Sequence, residues 1–140
     1  MISKSYQIEN NSKFFLENNC ILFYGENLGL KKDYKNIIKN LENKAAIINL
    51  EQDEILKNEN ILINEISNLS LFSEKKVIFI EKSSDKILDI LLKIDDQILE
   101  TKVILFADIL EKKSKLRNYF EKSKTFQTVA CYQDNEIPLR

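Results

Sequence analysis

Residues Ile21–Lys32 read ILFYGENLGLKK, a short apolar run that leads into a glycine turn and a lysine pair. The run Ile21–Tyr24 is apolar or aromatic at every position, which is typical of a strand covered on both faces of a sheet. Gly25 follows directly and favours a turn at the end of that strand. The stretch therefore predicts a buried strand, a turn and then a helix.

The turn matches the phosphate-binding motif G-x-x-x-x-G-K-[ST] at two positions and departs from it at two. Gly25 and Lys31 keep the first glycine and the lysine. Leu30 stands where a second glycine lets backbone N–H groups close on phosphates, and Lys32 replaces the hydroxyl that binds Mg²⁺. We therefore expect a degenerate phosphate loop that does not support hydrolysis. The alternative is an ordinary strand-to-helix turn, since such turns also combine a glycine with a nearby lysine.

Further runs rich in β-branched and aromatic residues predict the remaining strands, at Ala45–Leu50, Val77–Ile80, Val103–Ala107 and, more weakly, Phe126–Tyr132. Between the runs, apolar residues recur at the i, i+3, i+4, i+7 spacing of a helix with one buried face. The positions are Tyr34, Ile37, Ile38 and Leu41; Ile87, Ile90, Leu91 and Ile94; and Leu116, Tyr119 and Phe120. An opening helix is expected around Phe14–Leu16, and one or two more around Ile55, Leu62, Ile66 and Leu69.

This alternation predicts an α/β fold with an about five-stranded, mainly parallel sheet and helices on both faces. Ser84 and Ser114 are expected to cap the helices that follow them. The chain has 140 residues, 44% of them hydrophobic, and no Pro- or Gly-rich linker, so we expect one domain. A formal charge of −1 provides no overall field that would attract nucleic acid or anionic lipid.

The composition also excludes several kinds of site. The chain has no histidine and only Cys20 and Cys131, so it offers neither a four-ligand Cys/His zinc site nor a histidine-dependent triad. We expect no metal and no cofactor. No secretory or membrane-spanning segment is visible, which favours a cytoplasmic protein with buried, reduced thiols.

An active nucleotide hydrolase needs acidic residues after the third strand to hold magnesium. This chain has only Glu81 there, and the cation Lys82 follows it. Asp108 follows the fourth strand, where an Asp is typical of a turn. Both residues are therefore poor matches for magnesium ligands, and active hydrolysis is not expected.

The segment N-L-S-L-F-S at Asn68–Ser73 places Leu71 and Phe72 where the chain must turn. They are either core residues that cover the edge of the sheet or an exposed anchor for a partner. As an anchor, the pair would contribute roughly 3 to 6 kcal/mol, at about 1.5 to 3 kcal/mol for each buried side chain.

Three blocks of the chain resemble, in order and spacing, the N-terminal domain of the delta subunit of bacterial DNA polymerase III. They are LFYGENLGLKK at Leu22–Lys32, LSLFSEKKVIFIE at Leu69–Glu81 and VILFADILEKKSKLRNYFEK at Val103–Lys122. The S-L-F block is the most specific of the three. The resemblance covers most of residues 20 to 132.

The resemblance implies a P-loop NTPase-like domain of the AAA+ type, spanning residues 1–140, at the start of a longer clamp loader subunit with later helical and collar domains. It implies no enzyme activity for the domain itself, which would serve a DNA polymerase assembly, a nucleotidyltransferase. The implied partners are the sliding β clamp, the gamma/tau and delta prime loader subunits and, indirectly, DNA. By position, the clamp-binding residues would be Leu69, Ser70, Leu71 and Phe72.

Two other functions stay open on the sequence. One is a catalytic nucleotide hydrolase, and the other is a nucleotide-free α/β module for an unrelated partner. A solvated turn is predicted at the lysine-rich patch of Lys112, Lys113 and Lys115. The alternative is that these lysines contact DNA.

Overall fold

The computed structural model describes residues 2–4, 12–67, 75–94 and 101–132. Strands and helices alternate along these residues. The strands are β1 (Ile2–Lys4), β2 (Cys20–Tyr24), β3 (Ala46–Glu51), β4 (Lys76–Ser83), β5 (Lys102–Ala107) and β6 (Gln127–Ala130). The helices are α1 (Ser12–Glu17), α2 (Leu28–Leu41), α3 (Gln52–Lys57), α4 (Asn60–Ser67), α5 (Leu88–Lys93) and α6 (Lys115–Lys122).

The strands form one sheet in the order β1-β6-β2-β5-β4-β3, and every neighbouring pair is parallel. The predicted α/β class and the five predicted strands, β2 to β6, are therefore confirmed. The short strand β1 was not predicted, because a three-residue segment has no periodicity of its own and is defined by its pairing with β6.

The chain runs from β2 to the far edge at β3, returns through β4 to β5, and then crosses β2 to reach β6. The connections that leave β2 and β5 thus lead in opposite directions. In open α/β sheets, the crevice at the carboxyl ends of two such strands is the usual place for a ligand. We call this end of the sheet the carboxyl edge, and the opposite end the amino edge.

Hydrophobic residues fill the space on both faces of the sheet, as the continuous apolar runs predicted. Successive residues of β2 alternate between the two cores, with Leu22 and Tyr24 in one and Ile21 and Phe23 in the other. Helices α3 to α6 contribute to the first core, and α1 and α2 to the second. The crossover towards β3 and the crossovers back from it therefore use opposite faces, as a constant right-handed connection requires.

Three local predictions need correction. The apolar spacing at Ile87–Ile94 predicted one helix, but the chain forms a 3₁₀ turn at Asp85–Ile87 and then the six-residue α5. Ser84 does act as an N-cap, but of the 3₁₀ turn. Strand β4 continues past Ile80 to Ser83 through an irregularity in its pairing with β5, because Glu81 still pairs with Glu51 of β3 and Ser83 with Ala107 of β5.

Candidate functional site: the loop at the carboxyl edge

The loop between β2 and α2 lies at the carboxyl edge, beside the end of β5. A cleft of about 390 Å³ opens there, between the first turns of α2 and the ends of β3, β4 and β5. Lys31 and Lys32 line this cleft. The structure therefore brings the degenerate phosphate motif to the position where a parallel sheet usually binds its ligand.

Gly25 is required by a close approach of two backbone segments. Its φ is +122°, and a Cβ atom there would lie 2.0 Å from the carbonyl oxygen of Cys131. No side chain fits at that distance. The Gly25 N–H donates to the carbonyl oxygen of Asp108 at 3.0 Å. The first glycine of the motif thus joins the ends of β2, β5 and β6.

Asn27 closes the rest of the loop. Its N–H donates to the Cys131 carbonyl at 3.1 Å, and its Nδ2 donates to the Tyr132 carbonyl at 3.0 Å. Its Oδ1 accepts from the N–H of Leu30 at 3.0 Å, which makes Asn27 the N-cap of α2. The N–H groups of Gly25, Asn27 and Leu30 are therefore all used by the chain itself. In a working phosphate loop, such groups point at the ligand.

Lys31 lines the cleft, but little of its side chain is open to solvent. It is only 5% exposed, and its Nζ donates to the carbonyl oxygen of Ala107 at 2.8 Å. The Asp108 carboxylate lies 3.6 Å from the same Nζ, but that side chain is fully exposed and its attraction is screened by water. Leu30 packs against the core under α2, and Lys32 is exposed. The motif lysine thus holds the end of β5.

Other lysines of the cleft also face carboxylates. Lys35 Nζ lies 2.6 Å from Glu81 Oε2 and 5.0 Å from the centre of the Phe79 ring. Lys82 adopts the left-handed backbone conformation, with a φ of 56°, and its Nζ lies 3.5 Å from Glu51 Oε1. Glu81, the acidic residue considered for magnesium binding, therefore has a lysine as its neighbour in the structure.

Both cysteines are buried and free, as expected. Burial raises the pKa of the Cys20 thiol above its ordinary value. It also raises that of Cys131 to about 12, against a smaller opposing effect of Lys31. Neither thiol is therefore ionised near neutral pH, and neither is suited to nucleophilic chemistry.

The predicted clamp-binding residues Leu69, Ser70, Leu71 and Phe72 lie outside the described residues, so their role as clamp contacts stays a prediction. The structure does place the elements on both sides of them, α4 and β4. In the predicted solvated turn, Lys112, Lys113 and Lys115 are exposed before and at the start of α6.

Asn27 was not predicted as a cap, although an Asn just before an amphipathic helix is a recognised N-cap signal. The role of Lys35 was not predicted either. Nothing local identifies that residue, because Lys35 lies on α2 and its partner Glu81 lies 46 residues away on β4.

No protein-family model matches the chain, and no curated protein matches its sequence. Along residues 12–67, 75–94 and 101–132, no helix combines the length and apolar character needed to cross a membrane. Over the same residues, His, Cys, Asp and Glu side chains form no group of three that would hold a metal ion. The fold itself is a parallel α/β sheet with helices on both faces, compatible with the Rossmann-like and P-loop-like classes.

Proposed function

We propose that this chain is the AAA+ type N-terminal domain of a clamp loader subunit like the delta subunit of bacterial DNA polymerase III. It binds the sliding β clamp through Leu69, Ser70, Leu71 and Phe72 and favours the open ring. The domain hydrolyses no nucleotide, and other loader subunits supply that activity. DNA is a partner only through the assembled complex, in the cytoplasm.

The closed loop at the carboxyl edge is the observation that best supports the non-catalytic part of this proposal. The N–H groups of Gly25 and Asn27 donate to carbonyl oxygens of the chain, and the Lys31 amine donates to Ala107. To bind phosphate, the loop would have to break these bonds and leave buried carbonyl groups without donors, at about 1 to 3 kcal/mol each.

The clamp-binding part rests on the sequence resemblance and on the position of its most specific block. The first residues of that block lie in sequence between α4 and β4, and β4 begins at the amino edge. Strand β4 has 8 residues and separates the two edges by about 25 Å. A ring-shaped partner at the amino edge would therefore leave the carboxyl edge free for neighbouring loader subunits.

The mechanism is differential binding. A protein that binds the open ring more tightly than the closed ring shifts the equilibrium towards opening, by no more than the difference between the two affinities. Two large apolar side chains supply energy on the scale of an interface hot spot.

The test is calorimetric titration of the domain with the sliding clamp of its source organism. Leu71→Ala and Phe72→Ala should each weaken binding by at least tenfold, because each removes about 1.5 to 3 kcal/mol of apolar burial. Leu92→Ala is the matched control, since Leu92 is an apolar side chain that is 44% exposed on α5 and belongs to neither element that flanks this connection. Unchanged affinity in folded Leu71→Ala and Phe72→Ala proteins would remove the site.

A nucleotide-free module for an unrelated partner is the second candidate, and two exposed side chains favour it. Leu28 is 71% exposed and Ile109 is 60% exposed. Their loops are joined by the hydrogen bond between Gly25 and Asp108. Failure of the wild-type domain to bind any sliding clamp would favour this function over clamp loading.

A further inference from the structure

Strand β3 ends the sheet on one side, and in the described part of the chain only β4 pairs with it. The pairing begins with the Ala46 N–H, which donates to the carbonyl oxygen of Lys75 at 2.8 Å. The backbone groups of successive strand residues point to opposite sides. Every second residue from Ala46 therefore bonds to β4, and Ile47 and Asn49 point the other way. We call this outer side of β3 the open side.

The residues at the two ends of β3 use their own N–H groups within the chain. The Ala45 N–H donates to the carbonyl oxygen of Glu42 at 3.0 Å, and the Glu51 N–H donates to Glu54 Oε1 at 3.0 Å. Between these ends, none of the described residues bonds to the outward N–H and C=O groups. The open side therefore presents two adjacent sets of backbone donors and acceptors.

Strand β3 also lacks the features that usually prevent an edge strand from pairing with another chain. Such strands are commonly very short, or carry a lysine, a proline or a bulge. The six residues Ala46–Glu51 include neither proline nor lysine, and they pair with β4 in unbroken register. At the other side of the sheet, β1 has only three residues and ends in Lys4. The open side of β3 is therefore the better place for a further strand.

A second copy of β3 fits the pattern of donors and acceptors on the open side. When two β3 strands run antiparallel about a twofold axis at Ile48, Ile47 of each copy lies opposite Asn49 of the other. Each of these two pairs exchanges two N–H···O=C bonds. The outward N–H and C=O groups of both residues are then satisfied in both copies.

The side chains are compatible with the same arrangement. Ile48 would face its own copy across the axis as a non-hydrogen-bonded pair, in which side chains lie closest together. Ile48 is apolar and only half-buried within one copy, so the pairing would cover more of it. Glu51 would lie opposite Ala45, and no two like charges would directly face each other.

We propose that this chain forms a symmetric dimer through antiparallel pairing of β3 with β3 of a second copy, which continues the sheet across the twofold axis. The contact is closed, because the same strand serves both copies and is then used in each. The assembly is therefore a dimer and not a filament. The inference goes beyond the proposed function, since it involves neither the clamp nor the residues proposed to bind it.

Sedimentation equilibrium of the chain over a range of concentrations measures this association. Asn49→Pro removes an outward N–H from each copy but leaves the bonds between β3 and β4, because the Asn49 N–H points away from β4. The two lost hydrogen bonds should weaken the association at least tenfold. Asn49→Thr is the matched control, because it keeps the N–H at the same exposed position, and it should associate like the wild type.

Hydrogen exchange of the wild-type chain is a second measurement and needs no variant. The amides of Ile47 and Asn49 should exchange several-fold more slowly at high protein concentration than at low concentration, because only the dimer gives them acceptors. The amide of Ile48 should change much less, since it is already bonded to β4 in the single copy.

Cysteine variants test the register of the two strands. In Ile48→Cys the two thiols face each other, with Cα atoms about 4.5 Å apart, which is within the range of a disulfide. In Asn49→Cys each thiol faces Ile47 instead. Oxidation should therefore link Ile48→Cys several-fold faster, although Asn49 is the more exposed residue. The native cysteines are both buried.

A chain that stays monomeric up to millimolar concentration would overturn the inference, and so would a dimer that Asn49→Pro leaves unchanged. Faster linking of Asn49→Cys than of Ile48→Cys would also contradict it. Clamp binding does not enter any of these measurements, so the dimer and the proposed function can fail separately.

Discussion

Lys31 provides a direct test of what the lysine of the degenerate loop does. In a nucleotide-binding loop, its replacement would mainly weaken phosphate binding. In this structure the buried Nζ donates to the carbonyl oxygen of Ala107. Lys31→Met should therefore reduce the stability of the domain and leave its response to nucleotide unchanged.

The magnitude follows from the contact. A hydrogen bond that involves a charged group contributes about 1.5 to 3 kcal/mol, and its loss leaves the Ala107 carbonyl without this donor. The screened Asp108 carboxylate adds little. We expect a loss of about 1.5 to 3 kcal/mol in the free energy of unfolding, or about 5 to 10 °C in Tm for a domain of this size.

The assay is urea denaturation and thermal unfolding of wild-type, Lys31→Met and Lys32→Met proteins, with and without ATP and Mg²⁺. Lys32 is exposed and adjacent in sequence, so its variant should remain within about 0.5 kcal/mol of the wild type. Equal stability of the two variants would refute the structural role of Lys31. A wild-type Tm that rises with ATP and Mg²⁺, and does so less in Lys31→Met, would show that the loop binds nucleotide.

Two other predictions follow from contacts of the described residues. Gly25→Ala should cost more than 1 kcal/mol in urea denaturation, because of the positive φ and the 2.0 Å approach to Cys131, and a neutral substitution would refute this close packing. Asp85 accepts hydrogen bonds from Ser114 Oγ and from the N–H groups of Leu116 and Lys115 at the start of α6. Partial burial alone would raise its pKa, but these bonds and the Lys115 charge lower it overall. Asp85→Ala should cost about 1 kcal/mol at pH 7, the usual value of a helix cap. The stabilisation by the carboxylate is present above its unfolded pKa of about 3.9 and is lost as the pH falls through the lower folded pKa. The difference from wild type in urea denaturation should therefore shrink below about pH 4, and a difference that grows there would contradict the assignment.

The strands were predictable because burial on both faces of a sheet imposes a local pattern. Apart from Asn49, each run from Ile21–Tyr24 to Val103–Ala107 is apolar, and each forms most of a strand. The helix before β3 was equally clear from the spacing of Tyr34 and Ile38. The 3₁₀ turn at Asp85–Ile87 was not, because one turn of either helix type gives nearly the same spacing over so few residues.

The character of the loop was only half predictable. That Leu30 and Lys32 replace the glycine and the hydroxyl is a matter of residue identity and needs no coordinates. That Asn27 uses the amide of Leu30 also has a local signal. The bond from Asn27 to the Tyr132 carbonyl spans 105 residues, and that from Lys31 to Ala107 spans 76. No short segment of the sequence contains both partners of either hydrogen bond.

The sequence alone therefore determined the strands β2 to β6, most of the helices, the parallel α/β class, and the loss of two motif residues. All of these follow from side-chain type and spacing within a few residues. The order of the strands, the closed state of the loop and the burial of Lys102 beside Glu42 were decided only by the tertiary structure. Each depends on segments that are distant in the sequence and meet in space. A lysine in the sequence does not indicate whether its amine will contact water or a buried carboxylate.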